Sequence, residues 1–219
     1  MLAPMHRAGC LTVVLLCLSG CGSAGQPAPY DATGVDGLEI PTASPDPADF
    51  VEEVDNPWLP LAGRDSWRYV VEQGGEQVGA VRVAVTGPAD VAGLQATGVR
   101  TTTRVRGAGR SESTSYYAQD EAGNVWLVGQ DLVDGGWRAG EGYDAGLAMP
   151  AQPRLGDAWV RVDAVPTSET VRVVDVIVAE DPEQVTLESV ETGTRTTYTA
   201  GTGPVLTLED TGRTTELVD

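Results

Sequence analysis

The chain has 219 residues, 41% of them hydrophobic, and a net charge of −18 from 14 basic and 32 acidic side chains. It contains no lysine, one histidine (His6) and three cysteines (Cys10, Cys17 and Cys21), all near its start. A charge this negative repels nucleic acid and anionic headgroups, so no nucleic-acid partner is expected.

Residues 1–20 read as a lipoprotein signal peptide. Met1 to Arg7 carry one arginine, Leu11 to Leu18 are mostly apolar but too short to span a bilayer, and Leu18-Ser19-Gly20-Cys21 sets small residues before a cysteine. The mature chain is expected to start at Cys21, with its thiol carrying a diacylglycerol. Two or three acyl chains hold a protein stably at a membrane, here the outer face of the cytoplasmic membrane. Cleavage removes His6, Cys10 and Cys17 and leaves the chain one unit more negative. What remains has no His, no Lys and no free thiol. Ser-His-Asp and Cys-His nucleophiles, Schiff bases, and His/Cys zinc sites are thereby excluded, and no disulfide framework is left. No catalytic residue, metal or cofactor is expected, and the protein is not expected to be an enzyme.

Residues 21–45 form the lipidated cysteine and a tether of Gly, Ala, Pro, Ser, Thr and Asp, too polar to bury a core and expected to be disordered. Residues 46–219 fit one all-β domain. Asp46 to Val54 predicts a short helix, with Asp46 as N-cap, Pro47 in the first turn and acids around it. Asn56-Pro57-Trp58-Leu59-Pro60-Leu61 follows. Its prolines fix φ and hold the preceding residues extended, so Trp58, Leu59 and Leu61 are presented from a stiff segment. Beyond Gly63, Trp67, Tyr69 and Val71 alternate with polar neighbours, the period of a half-buried strand. Trp58 and Leu61 are expected to dock on that strand and close one end of a sheet.

Further on, Gln73-Gly74-Gly75, Gly87-Pro88, Gly107-Ala108-Gly109, Ala122-Gly123-Asn124, Asp134-Gly135-Gly136, Gly156-Asp157, Gly193 and Gly212 punctuate β-branched runs. Trp159 faces one way in the simple alternation, with Val160 and Val162 facing the other. Val171 to Val178 breaks alternation and predicts a bulge or burial on both faces. Thr101 and Thr103, on a nominally inward face, suit a concavity that is not fully dry. The expected fold is mainly β: a single antiparallel, strongly curved sheet, half-barrel or open barrel, with one short N-terminal helix.

Candidate ligand or partner contacts are Trp58, Trp67, Tyr69 and Trp126, the large aromatics of the most distinctive segments. Asp120, Glu121 and Asn124 sit in a hairpin loop whose turn chemistry accounts for them; the spacing of a calcium loop is absent. Arg100, Arg104, Arg106 and Arg110 are expected to pair with acids across strands. Acid pairs such as Glu52/Glu53, Glu180/Asp181 and Glu209/Asp210 single out no pair of carboxylates for hydrolysis.

Four segments together carry a resemblance. They are Asn56-Pro57-Trp58-Leu59-Pro60-Leu61 with Trp67-Arg68-Tyr69; Tyr117-Ala118-Gln119-Asp120-Glu121-Ala122-Gly123-Asn124-Val125-Trp126; Met149-Pro150-Ala151-Gln152-Pro153 with Gly156-Asp157; and Tyr198-Thr199-Ala200-Gly201-Thr202-Gly203-Pro204-Val205. They resemble a family of uncharacterised bacterial secreted proteins and lipoproteins of high-GC Gram-positive type. That resemblance spans most of residues 50–219 and implies an envelope address but no activity and no site residues. In architecture, the expected sheet resembles the bent sheets of lipid-anchored carriers, without the helices that lid them. The function expected is a non-enzymatic, membrane-anchored envelope module that binds an apolar small ligand or an envelope protein, as a monomer. The alternatives are a structural accessory lipoprotein and a carboxylate hydrolase.

Overall fold

A computed structural model describes residues 47–164, 167–178 and 181–218. The signal peptide, Cys21 and the tether lie outside the described residues. The helix expected over 46–54 is reduced to a single 3₁₀ turn, Pro47–Asp49. The chain then runs extended as β1 (Phe50–Val51), which pairs with the end of β5 (Gly109–Asp120). So short a helix would be marginal alone, whereas the sheet offers backbone partners and an apolar cluster for Phe50.

From Ser66 the chain is a meander of antiparallel strands. β2 (Ser66–Gln73), β3 (Glu76–Val91), β4 (Leu94–Val105), β5 and β6 (Val125–Leu132) pair in sequence order. The far edge of β6 is shared: β7 (Gly135–Arg138) pairs with one half and β8 (Gly146–Met149) with the other. A second run follows, β9 (Ala158–Ala164), β10 (Thr167–Ile177), β11 (Gln184–Ser189), β12 (Arg195–Thr199), β13 (Gly203–Leu208) and β14 (Thr214–Leu217). β14 pairs with β2 and joins the two runs, so the curved sheet is nearly closed as a barrel. One seam remains, between β8 and β9. There Gly146 lies so close to β9 that an added Cβ would clash with the Arg161 carbonyl oxygen.

Alternation sends Trp67, Tyr69 and Val71 of β2 inward, each 6% exposed or less, as their spacing predicts. They join one interior core with Val99, Leu127, Met149, Val162, Val173, Val185, Leu187 and Tyr198. A smaller cluster of Val91, Leu94, Ala96, Ala118 and Val128 lies apart from it.

Two expectations are corrected by bulges. Gly87-Pro88 does not turn the chain. It continues β3, with Gly87 at φ +94° beside a register shift, and the turn falls at Ala92-Gly93. A glycine inside a strand marks a bulge as readily as a turn. The second bulge is in β9. Thr170 pairs with Val160 and Glu169 with Val162, so Arg161 is an extra residue without a cross-strand partner. The alternation resets there, and Trp159 and Val162 are both buried while Val160 is exposed. The irregularity expected in Val171 to Val178 is a third bulge, between Val173 and Asp175.

Candidate ligand cavity

The four distinctive sequence segments meet at one end of the barrel and form a plug. Asn56, 2% exposed, is its hub. Its Nδ2 donates to the carbonyls of Gly123 (2.9 Å) and Pro150 (3.2 Å), and its Oδ1 accepts from the Trp58 N–H (2.8 Å). Gln119 Oε1 accepts from the backbone N–H of Asp55 and Asn56, and its Nε2 donates to Asp55 Oδ1 at 2.6 Å. Asn124 Oδ1 accepts from Ala151 N–H. The Gly201 N–H donates to Pro57 O, the Trp67 indole to Thr202 O, and the Tyr69 hydroxyl to Pro204 O. Every segment thus supplies groups that hold another. Buried polar groups of this kind are costly if left unpaired, and here they fix where Trp58, Leu59 and Leu61 enter the core. Trp58 and Leu61 are 6% and 5% exposed and share a core with Trp67 and Tyr69.

Beneath the plug lies a cavity of about 280 Å³. Leu59 and Leu61 of the plug, Trp67, Val83, Val99, Leu127, Met149 and Val162 give it apolar walls, and Thr101 lines it as the sequence pattern suggests. Its polar pole is Arg161, Glu169, Tyr117 and Tyr198. Because of the β9 bulge, the adjacent Arg161 and Val162 both face this interior. Glu169 on β10 receives Arg161 Nε at 2.8 Å and Nη2 at 2.5 Å, a two-point pairing of guanidinium and carboxylate. Both side chains keep about a quarter of their surface accessible, 27% and 23%, consistent with lining a void rather than being packed solid.

The electrostatics follow from this burial. Desolvation lowers the Arg161 pKa, but Tyr198, Glu169 and Tyr117 more than offset it, so the guanidinium stays charged. Burial pushes the phenols of Tyr117 and Tyr198 up, and that of Tyr69 well up, so all three remain neutral donors at ordinary pH. Gln130, also on the lining, is occupied: its Nε2 donates to Ser115 and its Oε1 accepts from the Trp137 indole.

Of the aromatics singled out in the sequence, Trp67 and Tyr69 line the cavity and Trp58 packs in the core beside them. Trp126 does not line it. It alternates with the inward residues Val125 and Leu127, donates its indole N–H to Asp120 Oδ2, and lines a separate groove with Asn124, Pro150, Asp157 and Trp159. Asp120 also receives the Asn124 backbone and side-chain N–H groups, so it builds the turn. Arg100 pairs with Glu112 and Arg106 with Glu76, as expected across strands, whereas Arg110 pairs with Glu112 along its own strand; Arg104 lies opposite Arg110 and has no acid partner among the described residues. Among the described residues the cavity is lined by one carboxylate, Glu169, and the groove by one, Asp157. Among the described residues no cluster of His, Cys, Asp and Glu is arranged to hold a metal ion. Arg161, Glu169 and Tyr198 were not flagged by the sequence: simple alternation puts Arg161 and Val162 on opposite faces, and nothing local marks Glu169 or Tyr198 as interior. Comparison with protein-family models, curated proteins and solved structures returns no match for the chain.

Proposed function

We propose that this chain is a lipid-anchored, extracytoplasmic module that binds a small ligand inside its barrel, without catalysing a reaction. The observation that carries the reading is the cavity: about 280 Å³ of largely apolar space beneath an ordered plug, with one polar pole. Ligand sites are commonly concave, mostly apolar and equipped with a few convergent polar groups. The address rests on Leu18-Ser19-Gly20-Cys21 behind an apolar run, and Cys21 is the proposed lipid attachment point. A purely structural accessory role would call for an apolar face on the outside instead.

Two measurements test the reading. Cys21→Ser should move the full-length protein from the membrane to the soluble fraction; unchanged fractionation refutes the anchor. Wild-type protein released gently from membranes should carry a small molecule in native mass spectrometry, or gain melting temperature with small amphiphiles sized to the cavity. Absence of both effects refutes ligand binding.

A further inference from the structure

The charge arrangement of the cavity narrows its ligand, an inference that rests on the ligand-binding reading above. We infer that the site selects an uncharged amphiphile bearing one hydrogen-bond acceptor, such as a ketone, ester or amide carbonyl on a medium-length apolar chain, and discriminates against carboxylates. An arginine in an apolar cavity suggests an anion site at first sight. Here the guanidinium already has its anion: Nε and Nη2 are both committed to Glu169. A ligand carboxylate would stand in the same low-dielectric space as Glu169 with no cation left to balance it, and burying an unbalanced charge is strongly unfavourable. A ligand cation would meet Arg161 in the same way.

A neutral acceptor meets neither penalty. Nη1 of Arg161 is the guanidinium nitrogen not bonded to Glu169, and the guanidinium also interacts with the neighbouring Tyr198 phenol. Tyr117 and Tyr198 add neutral hydroxyls to the lining. Leu59, Leu61, Val83, Val99, Leu127 and Met149 receive the chain. An apolar cavity of roughly 150 Å³ holds benzene, so about 280 Å³ takes a ligand with on the order of ten to twelve non-hydrogen atoms. That is a single short chain, too small for a diacyl lipid.

The test uses 2-nonanone and octanoate, a neutral and an anionic probe of matched size, titrated into the full-length protein near neutral pH. Calorimetry is paired with the protein's tryptophan emission, to which Trp67 on the cavity wall contributes. The wild type should bind 2-nonanone at least tenfold more tightly than octanoate. Glu169→Gln keeps the side-chain shape but removes the compensating charge, so the preference should shrink at least tenfold or invert. Equal or tighter octanoate binding by the wild type overturns the neutral-ligand inference and leaves ligand binding standing. Binding of neither probe, in a protein whose melt shows it to be folded, overturns both. If Glu169→Gln does not fold, the wild-type ratio alone still decides the inference.

Discussion

Asn56 is the sharpest place to test how the barrel is closed. Asn56→Ala deletes three hydrogen bonds and leaves the Trp58 N–H and the Gly123 and Pro150 carbonyls facing a hole. A neutral hydrogen bond contributes about 1 kcal/mol net, and a buried donor left unpaired costs about 1–3 kcal/mol. The sum is on the order of 3–5 kcal/mol. For a domain of this size one kcal/mol moves the melting temperature about 2–4 °C, so the variant should melt roughly 6–20 °C lower. Asn56→Asp is the informative companion. It keeps the acceptor for Trp58 but aims a carboxylate oxygen at two carbonyls, so near neutral pH it should be less stable than the alanine variant. Burial raises the carboxyl pKa in the folded state, and the folded state then binds the proton more tightly than the unfolded chain. The aspartate deficit should therefore shrink as pH falls toward about 4, the range of an unfolded aspartate. Urea midpoints at constant slope, followed by circular dichroism and tryptophan emission, provide the assay. An alanine variant within about 1 kcal/mol of wild type, or an aspartate variant as stable as wild type at neutral pH, would refute the hub.

Two further predictions follow from the core and the outer wall. Trp58→Ala and Trp67→Ala should each cost about 3–5 kcal/mol in thermal or urea melts, because both indoles are buried in one core; a Trp58→Ala variant as stable as wild type removes the plug's structural role. Glu188, buried between Arg195 and Arg172, has its carboxyl pKa held below the ordinary 4.5 by their hydrogen bonds. Its stabilisation is complete above about 4.5 and is lost as pH falls through the lower folded-state value, so Glu188→Gln should flatten the acid limb of the stability curve. An unchanged acid limb contradicts that assignment.

Periodicity was enough to read the sheet. Trp67, Tyr69 and Val71 face inward, and Val185 and Leu187 face the core as their alternation implies. The proline-fixed segment from Asn56 to Leu61 also docks where its stiffness suggests. Closure was less legible, because the β2–β14 pairing joins residues far apart in sequence and no local signal encodes it. The cavity's polar pole was hidden for a different reason. A bulge adds one residue, so the adjacent Arg161 and Val162 share the interior, which strict alternation does not allow. Phe50 and Val51 misled in the opposite sense: the capping pattern ahead of them suits a helix, and the free stretch of β5 supplies a partner that the sequence does not show.

The barrel's covalent break and its hydrogen-bond break fall in different places. Its first and last full strands, β2 and β14, are stitched together, while the gap lies mid-chain between β8 and β9, bridged covalently by residues 150–157. Nearly every other pairing joins sequence neighbours through a short hairpin, which costs little loop entropy. Among the described strand pairs only the β2–β14 closure must wait for most of the chain, as in the pairing of Tyr69 with Leu217. Folding is therefore expected to be governed by a single late circularisation of preformed meanders. A circular permutant joined across the β14–β2 side and opened within 150–157 would convert that slow step into a local hairpin. It would place the new termini at the seam, where no ladder has to be broken.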